Sequence, residues 1–160
     1  MIIFGIDPGT ATTGFGVIEL AADRTIKTLD YGIISTPKEE HMPARLDMLY
    51  GDLKELLSQY RPAAVAIEQL FFARNVTTAI SVGQARGVAI LACEQQHIPI
   101  AEYTPLQVKQ AVTGFGKAEK KQVQKMVQTI LALKSVPKPD DAADALAIAI
   151  AHSATLKLKN

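Results

Sequence analysis

The feature that most restricts the fold is the amino-terminal stretch MIIFGIDPGTATTGFG. An apolar run over residues 1–6 leads directly into Asp7 and then into the turn-forming pair Pro8 and Gly9. Such a run, ended by Pro-Gly, predicts a strand that is buried on both faces. Asp7 then lies at the carboxyl end of this strand, the edge of an open α/β sheet where ligands bind. Asp7 is a candidate for chemistry or metal binding, and equally for opening an Asx-type turn.

The remaining hydrophobic pattern predicts four further strands and five helices. The strands are expected at residues 14–20, 25–35, 63–67 and 98–103. The helices are expected from Pro43 to Tyr60, from an N-cap at Asn75 to about Gln96, from an N-cap at Thr104 through Pro105 to near Gly114, over 118–133, and from a cap at Asp140 or Asp141 to about Ser153. This is the ribonuclease H-like order, an α/β fold with a five-stranded mixed sheet flanked by helices.

Length and composition limit the class of protein. At 160 residues we expect one ribonuclease H-like domain over 1–160. No charged-then-apolar leader opens the sequence and no apolar run approaches the ~20 residues that span a bilayer, so we expect a soluble cytoplasmic protein without membrane contact. The single cysteine, Cys93, falls in an apolar helical pattern and is expected to be a buried thiol.

Basic residues concentrate in the second part of the chain. Residues 1–60 hold nine acids and five bases, whereas residues 61–160 hold seven acids and twelve bases. One short stretch contains Lys109, Lys117, Lys120, Lys121 and Lys125. Such a patch either meets phosphates or forms a solvated helix face. The apolar positions of the helix over 118–133 predict that its lysines point outward.

The second helix carries small residues at regular spacing. Gly83, Gly87 and Leu91 recur every four residues, although each glycine costs a helix about 1 kcal/mol. This pattern allows another backbone to approach closely. The partner is either the sheet or a second subunit.

Four acids stand at positions that suit a shared site. Glu68 follows a short apolar strand as Asp7 follows the first strand. Asp141 and Asp144 are three residues apart on a helix, which places their Cβ atoms about 5–6 Å apart on one face. Capping explains an acid at Asp140 or Asp141, but Asp144 lies one turn further among apolar residues and needs a partner or a metal.

Carboxylate oxygens without cysteine or suitably spaced histidine ligands favour Mg²⁺, with Mn²⁺ as a substitute. Two such ions about 3.5–4 Å apart would activate a water and stabilise the leaving oxygen at a phosphodiester.

Five blocks of sequence resemble the RuvC family of bacterial Holliday junction endonucleases. They cover nearly the whole chain, in the family's order: GIDPGT, IEQ at 67–69 followed by Phe71 and Asn75, GQARG at 83–87, AEKKQVQKMV at 118–127, and DAADALAIAI at 141–150.

The resemblance implies a homodimer that nicks two like-polarity strands of a four-way DNA junction and leaves 5′-phosphate and 3′-hydroxyl ends. It implies the RuvA and RuvB branch-migration proteins as partners. The family's catalytic carboxylates match Asp7, Glu68, Asp141 and Asp144, its DNA-contacting lysines match Lys109 and Lys120, and its junction-inserting aromatic matches Phe71. Phe72 and Asp140 add a second candidate beside Phe71 and Asp141, and both phenylalanines could instead be buried in the core.

Two other classes of function compete with this interpretation. A sugar-kinase or actin-like phosphotransfer domain also uses a DxGT turn, but it closes two such domains around its nucleotide, and 160 residues leave no room for the second. A non-catalytic junction-binding scaffold would keep the lysines and the aromatic loop, yet it has no reason to place four carboxylates at converging positions.

Overall fold

The computed structural model describes residues 1–69 and 76–156. Its strands are β1 (Ile2–Asp7), β2 (Thr12–Leu20), β3 (Ile26–Ser35), β4 (Ala64–Glu68) and β5 (Ile100–Tyr103). Its helices are α1 (Met42–Tyr60), α2 (Val76–Gln95), α3 (Pro105–Thr113), α4 (Lys120–Ile130) and α5 (Asp140–Thr155). Within the described ranges, no helix combines the length and the apolar character needed to cross a membrane.

The five strands form one mixed sheet in the order β3-β2-β1-β4-β5. The first three strands are antiparallel neighbours, and β1, β4 and β5 run parallel. Ile6 pairs with Ile67 in the β1–β4 register. The next residue of each strand is an acid, so Asp7 and Glu68 end adjacent strands at the same edge of the sheet. The predicted mixed sheet with an antiparallel meander is confirmed.

Helices cover both faces of this sheet. Alternate residues of β1 point to opposite faces, so Ile3 packs with α3, α4 and α5, whereas Phe4 packs with α1 and α2. The α1 face is built on Leu49, Leu53 and Leu57, whose spacing of four residues matches the predicted apolar stripe. The sheet is therefore the middle layer between two apolar cores.

Two glycines allow α5 to lie unusually close to the sheet. A Cβ atom at Gly5 would stand 2.1 Å from the carbonyl oxygen of Ala145, and one at Gly14 would stand 2.0 Å from the carbonyl oxygen of Asp141. Any side chain at either position would push the helix away. The glycines of β1 and β2 thus fix where α5 begins, and with it the position of Asp141.

Several predicted boundaries differ from the structure. Strand β2 begins at Thr12 instead of residue 14, and α4 ends at Ile130 instead of 133 because the chain leaves the helix at Leu131. The predicted cap at Thr104 is confirmed, since its Oγ1 accepts a hydrogen bond from the Gln107 backbone N–H at 3.1 Å. The predicted cap at Asn75 lies outside the described residues.

The predicted N-cap of the last helix is wrong. Pro139 is the N-cap of α5, and both Asp140 and Asp141 lie within the first helical turn. The Ala142 backbone N–H donates to the Pro139 carbonyl at 3.0 Å, so the helix starts earlier than a cap at Asp140 or at Asp141 would allow. The side chain of Asp141 is consequently free to serve another purpose.

Candidate active site

The predicted acids Asp7, Asp141 and Asp144 meet at one edge of the sheet. One carboxylate oxygen from each lies within 4.8 Å of the others. Asp7 comes from the end of β1, and the other two come from the first turns of α5, which Gly5 and Gly14 hold against β1 and β2. The spacing of three residues on a helix therefore has the predicted effect, because it directs both helical carboxylates to Asp7.

Glu68 lies beside this group and not within it. Glu68, Asp7 and Asp144 line one cavity of ≈ 210 Å³ together with Lys109 and Lys120. Apolar residues from α3, α4 and α5 form the rest of its wall. The cavity thus combines acidic side chains and two lysines with an apolar wall.

The surroundings of Asp7 oppose its ionisation. Burial is the main cause that raises its pKa from 3.8 to about 8, and the charges of Asp144, Glu68 and Asp141 add to the effect. Lys120 acts in the opposite direction but does not cancel it. Without a metal ion in the cavity, the protonated form of Asp7 is therefore favoured at neutral pH.

The pKa values of two further, partly buried acids, Glu68 and Asp144, are raised as well. Burial raises the pKa of Glu68, and the charge of Asp144 raises it further, while Lys109 and Lys120 oppose both. Burial also raises the pKa of Asp144, against the lowering effect of its hydrogen bond to Lys120. Acids whose charges are disfavoured in this way form a site that a divalent cation would stabilise.

Lys120 contacts the acidic group directly. Its Nζ lies 2.9 Å from Asp144 Oδ2 and 3.6 Å from Asp140 Oδ2. Lys120 exposes 53% of its side chain, as predicted for the lysines of α4, but it also pairs with two acids because α4 packs against α5 with its first residue next to the carboxylates. This ion pair is also the partner that the sequence required for Asp144.

Sequence reasoning missed Thr12, which orients one of the carboxylates. Thr12 Oγ1 donates a hydrogen bond to Asp141 Oδ2 at 2.6 Å. The intervening turn is fixed by Thr13, whose Oγ1 donates to the Gly9 carbonyl at 2.7 Å. The available signal was a pair of hydroxyl residues, Thr12 and Thr13, a few positions after the Pro-Gly turn.

Sequence reasoning also missed Arg86. Its Nε donates to the carbonyl oxygen of Glu68 at 3.2 Å, and its Nη2 pairs with Glu102 Oε2 at 2.5 Å. Arg86 therefore ties the end of β4 to β5 through α2. The role of this arginine in the GQARG block depends on tertiary contacts, which the sequence pattern does not show.

The remaining predicted site residues lie elsewhere. Lys121 and Lys125 line a separate groove beside Phe115, and Lys117 is exposed on the loop before α4. Phe71 and Phe72 lie outside the described residues.

The comparisons with known proteins agree with each other. The sequence model of the family described as crossover junction endodeoxyribonuclease RuvC matches residues 3–152. The chain belongs to the RuvC family. The crossover junction endodeoxyribonuclease RuvC of Rubrobacter xylanophilus is 57% identical over 95% of this chain and 84% of the relative. That of Syntrophomonas wolfei is 55% identical over 100% of this chain and 92% of the relative.

Solved structures extend the likeness to three dimensions. Thermus thermophilus RuvC in complex with a Holliday junction substrate is similar at a TM-score of 0.91 and 38% identity, over 96% of this chain and 93% of that one. The yeast mitochondrial Holliday junction resolvase Ydc2 is similar at a TM-score of 0.69 and 14% identity, over 95% of this chain and 78% of that one, which speaks for the fold alone. The chain has the ribonuclease H-like fold that the sequence predicted. The members of the RuvC family are described as endodeoxyribonucleases, so the enzyme class of this family is nuclease.

Proposed function

We propose that this chain is a structure-selective endonuclease that resolves four-way DNA junctions by paired nicks in two strands of like polarity, in recombination and repair. The whole chain, residues 1–160, acts as one nuclease domain. The observation that carries this proposal is the convergence of three carboxylates within 4.8 Å, beside Glu68 and two lysines, in a member of the RuvC family. A scaffold that only binds junctions would gain nothing from acids whose charges repel the DNA.

Asp7, Glu68, Asp141 and Asp144 are the proposed metal ligands, and Mg²⁺ is the proposed ion, with Mn²⁺ able to replace it and two ions per subunit. The donor set fits, because all four groups offer hard oxygen ligands, and burial disfavours the charges of Asp7, Glu68 and Asp144 in the absence of a metal ion. When bound, such ions activate the attacking water and stabilise the leaving oxygen of an in-line displacement.

The chain's own residues shape the site around that chemistry. Thr12 holds the Asp141 carboxylate by its 2.6 Å hydrogen bond, and Arg86 holds the end of the strand that carries Glu68. The apolar wall of the cavity limits water around the scissile phosphate. Hydrolysis joins the water oxygen to phosphorus and breaks the bond to the 3′ oxygen, which leaves 5′-phosphate and 3′-hydroxyl ends.

Binding of the junction is assigned to cations and one aromatic. Lys109 and Lys120 line the acidic cavity, so both are suited to contact the phosphates on either side of the scissile bond. Phe71 is proposed to stack on or wedge between bases at the crossover. The other proposed phosphate contacts come from exposed lysines near the start of α4: Lys117, Lys121 and Lys125.

The proposed assembly is a homodimer that works in the cytoplasm with the RuvA and RuvB branch-migration proteins. A four-way junction presents two equivalent scissile strands, and a two-fold protein matches that symmetry. Helix α2 offers the surface for the second subunit, because Ile80 and Leu91 expose 60% and 50% of their areas on it.

Amide variants of the four acids test the central claim. Asp7→Asn, Glu68→Gln, Asp141→Asn and Asp144→Asn each remove a charged ligand at almost constant volume. Each variant should bind a synthetic four-way junction in EDTA at least as tightly as the parent. Repulsion of the phosphates falls where an ionised acid is replaced, and it is unchanged for Asp7→Asn, whose carboxyl is already protonated without metal. Nicking in Mg²⁺ should fall by at least about 100-fold, on the scale of losing an electrostatic stabiliser of the transition state.

Asp140→Asn is the matched control, because Asp140 stands next to Asp141 but exposes 59% of its side chain. This variant should nick junctions at close to the parent rate. The ligand assignment is wrong if Asp140→Asn abolishes nicking and Asp141→Asn does not. The nuclease proposal itself fails if all four amide variants nick at the parent rate.

A further inference from the structure

An exposed aromatic ring lies outside the acidic cavity on the loop between α3 and α4. Phe115 leaves 58% of its area in solvent. It borders an open groove of ≈ 480 Å³, here called the Phe115 groove, which Ala118, Lys121, Lys125 and Met126 also line. A ring of this size exposed beside a groove needs an explanation, because large apolar side chains are usually buried.

The backbone around Phe115 is fixed by hydrogen bonds. The Phe115 N–H donates to Thr113 Oγ1 at 3.1 Å, and the Phe115 carbonyl accepts from the Ala118 N–H at 3.1 Å. Gln110 holds the preceding residue through its Nε2, which donates to the Gly114 carbonyl at 2.8 Å. The ring is therefore presented on a rigid loop, so that binding on it costs little ordering entropy.

The charges around the groove point to a polyanion. Neither Lys121 nor Lys125 forms an ion pair with any residue in the described part of the chain. Lys125 donates only to the neutral Gln128 Oε1, at 3.0 Å. Both lysines are therefore available to pair with phosphates. The apolar lining of the groove suits an uncharged group.

The Phe115 groove and the acidic cavity are separate, but both are lined by residues of the first turns of α4. Lys120 and Lys121 are consecutive at the start of α4, and the first lines the acidic cavity while the second lines the Phe115 groove. Val123, one turn further along α4, lies in the wall of the acidic cavity. A DNA strand whose scissile phosphate lies in the cavity can therefore reach the groove with a neighbouring nucleotide.

We propose that the Phe115 groove holds an unpaired base of the junction next to the cleavage site, stacked on Phe115, with Lys121 and Lys125 on the flanking phosphates. This inference rests on the proposed junction-binding function. Lysines with an interleaved aromatic are the arrangement by which proteins hold single-stranded DNA without reading its sequence. A protein partner would be expected to bring its own acids to both lysines, and the test distinguishes that case.

The test measures binding by fluorescence anisotropy in EDTA, so its result does not depend on cleavage. The probes are a labelled four-way junction, an oligothymidylate strand and a linear duplex of equal length. Phe115→Ala should weaken binding of the junction and the single strand by about 5- to 150-fold, the value of one stacked base. Binding of the linear duplex, whose bases are all paired, should stay within about two-fold of the parent.

Two further variants complete the experiment. Phe115→Tyr keeps the ring and should restore parent affinity for all three probes. Met48→Ala removes an apolar side chain that is 41% exposed from α1, on the other side of the sheet, and should leave all affinities unchanged. Circular dichroism confirms that each variant is folded before binding is measured.

Two outcomes would overturn the inference. If Phe115→Ala binds the junction and the single strand as tightly as the parent does, the Phe115 groove does not hold a DNA base. An equal loss on all three probes would show that Phe115 acts on duplex DNA and not on an unpaired base. Neither outcome bears on the proposed nuclease function, which is tested separately by the nicking of junctions in Mg²⁺.

Discussion

Asp7 has a carboxyl group that the folded protein makes hard to ionise. Its pKa rises from 3.8 to about 8, mainly through burial and then through the neighbouring acids. Between those two pH values the folded state keeps a proton that the unfolded chain has released. The metal-free protein therefore loses stability as pH rises through this window. A site that prefers a bound cation thus costs the fold stability when the cation is removed.

Asp7→Asn should reverse this cost. Near about pH 4 the thermal midpoints of parent and variant in EDTA should be closest, because the Asp7 carboxyl is then protonated in the folded state and largely protonated in the unfolded chain, so that it resembles the amide. Towards about pH 8 the variant should become more stable by several degrees, since 1 kcal/mol shifts the midpoint of a domain of this size by about 2–4 °C. Differential scanning calorimetry across the range measures the difference.

The control for this experiment is Asp140→Asn, which removes a charge at an exposed position. Its midpoint should follow that of the parent at each pH without a widening gap. Parallel curves for Asp7→Asn and the parent would contradict the proposed origin of the shift.

Helix α2 presents an apolar face that no other described element covers. Ile80 and Leu91 are exposed on it, and a Cβ atom at Gly87 would meet no atom within 4 Å. The buried side of the helix, including Ala85 and Cys93, packs on the sheet, as the sequence predicted for the thiol. Among the described residues, the small size of Gly87 serves no contact within the subunit, which agrees with the proposed pairing of α2 with a second subunit.

Gly87→Gln should separate association from folding. The new side chain has free space within the subunit, and replacing a helical glycine stabilises the helix by up to about 1 kcal/mol. If α2 pairs with α2 of a second subunit, the extra bulk should shift the protein from dimer to monomer in sedimentation velocity. The thermal midpoint of the isolated subunit should not fall.

Gly51→Gln is the matched control in α1, because a Cβ atom at Gly51 also meets no atom within 4 Å. This variant should remain as dimeric as the parent. If Gly87→Gln is equally dimeric, the subunits associate through another surface.

At the scale of the whole molecule, local patterns predicted the sheet and the positions of the acids. The run before Asp7 and the run before Glu68 identify buried strands by their own composition. The spacing of Asp141 and Asp144 identifies a shared helix face. These features need only a few neighbouring residues, so they are readable without the fold.

Contacts between distant elements were not readable. Thr12 and Asp141 are separated by 129 residues, and their hydrogen bond exists because α5 approaches β2 at Gly14. The orientation of Lys120 depends in the same way on how α4 packs against α5. Local periodicity correctly identified the inner face of α4. It could not show that this helix begins beside the carboxylates of the active site.

The uneven distribution of charge gives the last prediction. Lys117, Lys121 and Lys125 form no ion pair among the described residues, so each can release counterions when it meets a DNA phosphate. Neutralising any one of them with glutamine should lower the slope of log K against log salt by about 0.9 in magnitude. Lys120→Gln should lower it by less in EDTA, because Asp144 and Asp140 already offset the Lys120 charge.

Anisotropy titrations of a labelled junction over a salt series give these slopes, with Lys27→Gln on the outermost strand β3 as the control that should leave the slope unchanged. The comparison between Lys120 and Lys121 carries the most information, since the two are adjacent in sequence and differ in whether an acid already holds the ammonium. Equal slopes for both variants would mean that DNA binding frees Lys120 from Asp144. If the slope is unchanged for all four lysine variants of the 117–125 stretch, these lysines form a solvated helix face and do not belong to the DNA-binding surface.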